Sequence, residues 1–464
     1  MKKLVFFFLL AFGLRLGFGG LAYALLPQYG HGSEAEKAGY VFYDAFRRDT
    51  AAWELAQSPQ PLSVAFSGKN ESDQYGGLLA FSALIYRYLA PAAHQPLWLV
   101  FFAAAAGGLG LVFAVLAAKQ TLGENAAQRV GWIMALFPES ILLGASQMRE
   151  PFIILFLMMG FYGLLHWRTR LKMAAFWITL ALAGLLFISP GFAALLIVIG
   201  LGWLFFDGRQ VSWQFSLVAL VIFSLALLIL SASWQSLVTV RSGPLGVLGD
   251  WARETAKWNA YILGRSSGIV QLLFKTLPDS LQMPFVALYG VLQPVLPAVI
   301  VEPTLPFWRI LGIARAAGWW TLLPILGYAP FAAWKLTDPR QRRLWLWLAA
   351  VSWAWILVAA VRGGGDQWDN PRYRIILLGW MAMLAAFSCE QLKFSRDRWF
   401  LRILAVEAII LVVFGHWYLY RHLGLGWNFG IRNTLIAAIG TATLLVLGDW
   451  SWQTHKKRRS QHPL

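Results

Sequence analysis

Only one cysteine, Cys389, occurs in 464 residues. That excludes an internal disulfide framework and any cysteine-based metal site. Histidine is scarce too. The seven residues are scattered, with no HxxxH or HExxH spacing, so the chain does not read as a zinc enzyme. Charged residues make up 13% of the sequence, and no GxxxxGK[ST] loop is present, which removes the usual cradle for nucleotide phosphates. There is no low-complexity tract, and the second half does not repeat the first.

What fills the sequence instead is apolar. Hydrophobic residues account for 58%, and the mean hydropathy is +0.58. A water-soluble protein of this length cannot hide so much apolar surface, and disorder is excluded for the same reason. The 25 Trp, 32 Phe and 14 Tyr suit a chain that crosses the membrane–water boundary many times.

A spanning helix needs about 20 mostly apolar residues. Twelve segments qualify: 4–26, 97–118, 130–147, 151–167, 173–189, 191–206, 213–232, 311–334, 344–361, 375–389, 402–420 and 433–449. With the N-terminus inside, the inner segments hold 20 Lys and Arg and the short outer loops 6. This bias supports two cytoplasmic termini and explains the net charge of +17 without nucleic acid. Residues 1–26 resemble a signal peptide at Ala22-Tyr23-Ala24, but the apolar run is long and Arg15 interrupts it, which favours a retained span.

The expected fold is therefore all-α integral membrane, with about twelve transmembrane helices and two extracytoplasmic segments carrying short interfacial helices. Residues 1–232 form an N-terminal module containing the first outer loop, 27–96. Residues 233–310 form a second outer segment, and 311–464 a C-terminal module. Within the second segment, Trp251, Thr255, Trp258 and Ile262 fall on one helical stripe, as in a helix lying in the interface. Residues 281–300 are apolar but interrupted by Pro284, Pro294 and Pro297, so a re-entrant or interfacial piece is expected there.

Three outer places carry candidate chemistry. The first loop reads GYVFYDAFRRDTAAWELA from Gly39 to Ala56. Asp44 or Asp49, held where a short helix meets the membrane, could act as a general base, or could simply pair with Arg47 and Arg48. Asp73, in Asp73-Gln-Tyr-Gly-Gly77, is a further acid, following the sequon Asn70-Glu71-Ser72. The second place is the hairpin Gln147-Met148-Arg149-Glu150-Pro151, with Glu139 inside the preceding span. An ionisable group at that depth is a functional candidate by default; the alternative is a structural pair of Arg149 with Glu139 or Glu150. The third is the loop from Arg362 to Arg374, with three consecutive glycines and Pro371-Arg372-Tyr373-Arg374. Glycine permits close backbone approach to a ligand, and arginine forks suit phosphate oxygens.

Taken in order, these features resemble the GT-C superfamily of integral-membrane glycosyltransferases, nearest to the protein O-mannosyltransferase and aminoarabinose-transferase type, glycosyltransferase family 39. The likeness rests on Arg15-Leu16 in the first span, on Asp44 with Ala52 and Leu55 in a large first loop, on the Pro…Arg149-Glu150-Pro151 hairpin, and on Pro371-Arg-Tyr-Arg374 leading into a span. It covers roughly residues 1–170 and 360–390. The family usually places its acid closer to the first span, often as an Asp-Glu pair, so Glu34, Glu36, Asp44 and Asp49 all stand as first-loop candidates.

The resemblance implies an inverting transferase of the plasma (inner) membrane that uses a polyprenyl-phosphate-linked sugar. A first-loop acid, Asp44 or Asp49, would deprotonate the acceptor hydroxyl, and Glu150 would position acceptor or base. Substrate contacts would come from Arg149, Asp73, Arg372, Tyr373, Arg374 and Arg15, with the arginines holding the lipid phosphate. No cofactor is implied, although a divalent metal is compatible with the superfamily. The other readings are a polymerase or ligase of lipid-linked polysaccharide and a multi-span transporter or flippase.

Overall fold

A computed structural model describes residues 2–67, 73, 75–207, 277–395 and 397–461. Among these residues all regular structure is helical, and nine helices are long and apolar enough to cross a membrane. The chain is an all-α, multi-pass membrane protein. Every expected span coincides with helix except 213–232, which lies outside the described residues, as do the 251–262 stripe and the sequon.

The N-terminal part begins with α1 (Lys2–Tyr29), whose buried residues Phe7, Ala11, Arg15, Gly19, Ala22 and Leu26 recur every three or four positions and form one stripe. That stripe packs on α5 (Leu97–Leu122). Close approach is possible because α5 presents small residues, among them Gly107, Gly108 and Gly110. A Cβ on Gly110 would lie 3.2 Å from the Leu155 backbone in α8 (Glu150–Leu165).

Gly123, with φ +89°, reverses the chain into α6 (Glu124–Leu136). The expected span 130–147 is then broken. Phe137-Pro138 ends α6 and starts the short α7 (Pro138–Gly144). Proline has no N–H, so nothing in the helix can bond the Met134 carbonyl four residues back. Arg15 replaces that donor: Nη2 lies 3.0 Å from Met134 O and also bonds Ser140 Oγ, while Nη1 returns to Ala11 O at 2.8 Å. Space for the guanidinium comes from Gly107, where a Cβ would sit 2.8 Å from Arg15 Nε, and from Gly144 against Arg15 Cδ. Arg15 is 1% exposed. It thereby satisfies a broken helix inside the membrane, with its donors turned to Ala11, Met134 and Ser140.

In the first loop, α2 (Glu34–Lys37) is closed by a capping box between Ser33 and Glu36. Next come α3 (Tyr43–Gln57) and α4 (Gly77–Tyr88), which pack on each other around Ala52, Leu55, Ala56, Ala83 and Tyr86. Beyond α8 run α9 (Leu171–Ile188) and α10 (Pro190–Asp207).

The second described part opens with α11 (Asp279–Leu292) and α12 (Leu296–Val301), two short pieces where an interrupted segment was expected. The long helices α13 (Pro306–Trp334) and α14 (Pro339–Gly363) follow. Then α15 (Asp369–Arg374) leads through a 3-10 turn into α16 (Leu378–Ser395). Helix α16 is the best buried span and packs on α5 and α6 as well as on α13, joining the two parts. At the edge, α17 (Arg398–Leu423) and α18 (Gly430–Gln461) pair with each other and leave most of their apolar surface open, as lipid-facing helices do.

Candidate functional site

Helical phase separates the two first-loop aspartates. Asp44 and Arg48 are four residues apart on α3 and share a face, whereas Asp49 is rotated from Asp44 by about 140°. The two therefore meet different neighbours. Asp49 is 1% exposed and turns towards α4. It accepts hydrogen bonds from the Tyr40 hydroxyl and, at 2.6 Å, from the Tyr86 hydroxyl, and it lies 2.6 Å from His94 Nε2. Burial, and then the Asp49 charge, hold both tyrosine hydroxyls well above their usual range. With three partners already in place, Asp49 braces the loop on the side away from Arg372.

Asp44 turns the other way, to Arg372 in α15. Arg372 Nη1 lies 2.8 Å from Asp44 Oδ2, and its Nε lies 2.8 Å from Glu150 Oε1 at the start of α8. Asp369, one turn back on α15, is 3.9 Å from the same Nη1. One buried guanidinium thus joins carboxylates 222 and 328 residues away in sequence. Glu150 is buried, while the Asp44 side chain is about half exposed and forms the open side of the group. Burial pulls the Asp44 carboxyl upward, but the Arg372 charge and hydrogen bond prevail and hold it below the usual aspartate range.

Two more arginines complete the cluster. Arg48 is 4% exposed, and its Nη1 donates to the Gln147 carbonyl at 2.9 Å. Burial lowers it to about 10, with Asp73 and Glu150 pulling the other way and Arg149 and Arg372 adding to the fall. Arg149 has Nη1 3.9 Å from Asp73 Oδ1 and its guanidinium 5.5 Å from the Tyr75 ring. The other carboxylate oxygen of Asp73 accepts from the Leu79 amide at 3.0 Å and fixes the start of α4. Four buried atoms here make no hydrogen bond: Arg48 Nε, Arg149 Nη1, Asp73 Oδ1 and Glu150 Oε2. Buried polar groups are normally satisfied, so unmatched donors and acceptors together mark a place suited to a ligand that offers both.

The remaining candidates lie elsewhere. Arg374 points its Nη2 at the Gln293 carbonyl, 3.0 Å away, and stacks 3.3 Å from the Trp319 ring centre. It clamps the α11–α12 connection and does not join the Arg372 cluster through any hydrogen bond among the described residues. Tyr373 flanks the cluster, with its ring centre 5.8 Å from the Arg372 guanidinium, and its carbonyl accepts from Trp355 Nε1. Glu139 pairs with Arg315 through two contacts of 2.6 and 3.1 Å, both side chains being buried; Arg149 is not its partner. The glycine loop closes on protein. A Cβ on Gly365 would lie 2.7 Å from Tyr289, and Gly363 abuts Asn370.

Next to the cluster lies a cavity of about 550 Å³ between the first loop and the start of α13, lined by Tyr43, Trp308, Arg315 and Trp368 among others. Tyr43 and Trp368 directly precede Asp44 and Asp369. Among the described residues, no three His, Cys, Asp or Glu side chains converge to hold a metal ion.

Sequence reasoning did not assign Arg48 or Asp369 to the site. Arg48 could have been found from its four-residue spacing to Asp44, and Asp369 from its position one helical turn before Arg372. No protein-family model matches this chain, and no curated protein shows significant similarity to it.

Proposed function

We propose that this protein is a glycosyltransferase that moves a sugar from a polyprenyl-phosphate donor to an acceptor hydroxyl on the extracytoplasmic face. In this reading it resides in the plasma (inner) membrane with both termini cytoplasmic. The observation that carries the proposal is the Asp44–Arg372–Glu150 bridge, in which a half-exposed carboxylate and a buried one share a single buried arginine.

The chemistry follows from competition for Arg372. A lipid phosphate is a strong, bidentate acceptor for guanidinium. As it binds, it takes the Nη1 donor from Asp44, and the loss of that counter-charge raises the basicity of the carboxylate. Asp44 then accepts the proton of the acceptor hydroxyl. The oxygen attacks the anomeric carbon, the bond from that carbon to the phosphate oxygen breaks, and the electron pair leaves with the phosphate. Glu150 keeps Arg372 oriented, and Arg48 and Arg149 add positive charge around the departing group.

The test uses purified protein in proteoliposomes with radiolabelled polyprenyl-phosphate sugars and follows release of the lipid phosphate. Asp44→Asn should lower turnover by roughly 10²–10⁴ while leaving folding intact. Equal turnover by wild type and Asp44→Asn would remove the base, and no release from any donor in the panel would remove the class.

A further inference from the structure

We infer that the 550 Å³ cavity beside Asp44 binds a saccharide ring, so that the acceptor of the transfer is itself a glycan. The acceptor role rests on the transferase reading; the binding does not. The volume falls within the range of small-molecule sites, about 300–1,000 Å³.

The lining fits a ring with an apolar face and a hydroxylated edge. Trp308 and Trp368 stand at 83° to each other with centres 5.2 Å apart, forming an aromatic corner, and His31 lies nearly parallel to Trp308. Stacking on indole suits the C–H face of a pyranose. Around this corner the lining carries the carboxylate of Glu302 and the guanidinium of Arg309, both exposed. Planar groups of this kind accept and donate in pairs to neighbouring hydroxyls. Arg309 Nη2 lies 3.4 Å from the Glu302 backbone carbonyl, which keeps the two side chains on one rim.

Charge argues against a phosphate here. Glu36 and Glu302 both line the cavity against one exposed guanidinium, Arg309, and the buried cation, Arg315, is already held by Glu139 and by Trp368, whose ring centre is 4.2 Å away. An acyl chain would require continuous apolar walls. Lining residues Tyr43 and Trp368 are the immediate sequence neighbours of Asp44 and Asp369, which places the cavity at the edge of the cluster without either acid lining it.

Saturation-transfer difference NMR on the detergent-solubilised full chain tests this, with glucose, mannose, galactose and N-acetylglucosamine as probes. Ring protons of at least one sugar should receive saturation. The signal should vanish in Trp308→Ala, and Glu302→Gln and Arg309→Ala should each weaken the apparent Kd by about tenfold. The two rim changes touch exposed side chains and guard against a folding artefact at Trp308. If the wild type binds saccharide in the cavity but releases lipid phosphate from no donor, the cavity assignment stands while the transferase reading fails. Absence of transfer to every sugar overturns the inference. So does transfer that survives Trp308→Ala and both rim variants, or displacement of the sugar signal by decyl phosphate but not by a second sugar.

Discussion

Arg372 holds two carboxylates of opposite character, and replacing it separates their fates. In Arg372→Gln, Glu150 becomes a buried acid without its cation, and breaking such a pair costs about 3–5 kcal/mol. Arg372→Lys should rescue this only in part, because an ammonium cannot present two donors in a fixed fork. Asp44 responds through pH. Its carboxyl is held below the usual range in the folded protein, so its interaction is fully present above the unfolded value of about 3.9 and is lost as pH falls through the lower folded one. In the free wild-type enzyme Asp44 should therefore stay ionised below the usual aspartate range, and Arg372→Gln should move the acid limb of the kcat/KM profile upward. An unmoved limb would mean that Asp44 is not the group titrating. Residue type alone did not distinguish Asp44 from Asp49, or Arg372 from Arg15 and Arg374. In each case the deciding factor was which carbonyl, ring or hydroxyl the fold brought within reach. Only the phase difference between Asp44 and Asp49 was open to arithmetic beforehand.

The break between α6 and α7 gives a cleaner test at the level of an element. Pro138 leaves the Met134 carbonyl without a helical donor, and Arg15 supplies one. Arg15→Met should cost about 1–3 kcal/mol, the usual penalty for an unpaired buried group. In a Pro138→Ala background, the new amide at 138 can bond Met134, so the same substitution should cost less. Thermal unfolding of the four proteins in one cycle measures the difference, and strict additivity would rule out the proposed link. The α3–α4 pair makes a second prediction. Asp49→Asn retains one acceptor oxygen where the carboxylate offered two to Tyr40, Tyr86 and His94. A loss of about 1–3 kcal/mol is expected, seen as a lower Tm with turnover at permissive temperature unchanged; lost turnover in a fully folded Asp49→Asn protein would return Asp49 to the list of bases. The helices themselves were legible because long apolar runs have few alternatives in lipid. The break at 137 was harder to see, since apolarity continues across it and only the proline marks the change.

Across the whole molecule, orientation decides whether the cluster can meet an extracytoplasmic substrate. Reporter fusions at residues 169 and 340 should report cytoplasm, and one at residue 59 the opposite side; the reverse pattern would place Asp44 in the wrong compartment for the proposed donor. Charge bias carried this expectation, and among the described residues eleven of the twelve apolar runs fall on helix. Which helices touch was not legible, because spacing along one chain does not say which distant arginine a buried acid will find. Glu139 is the clearest instance: its neighbour in sequence, Arg149, was the natural partner, yet Arg315 holds it.

That pairing has a counterpart in Glu150 and Arg372. Both buried acids belong to the first part of the chain and both of their arginines to the second. During synthesis the acids enter the bilayer well before the cations that will neutralise them. An intramembrane acid without a partner is costly. Each of these two ion pairs can form only once the late helices dock against the early ones. The lock that closes the bundle and the charge that equips the site are set in the same step.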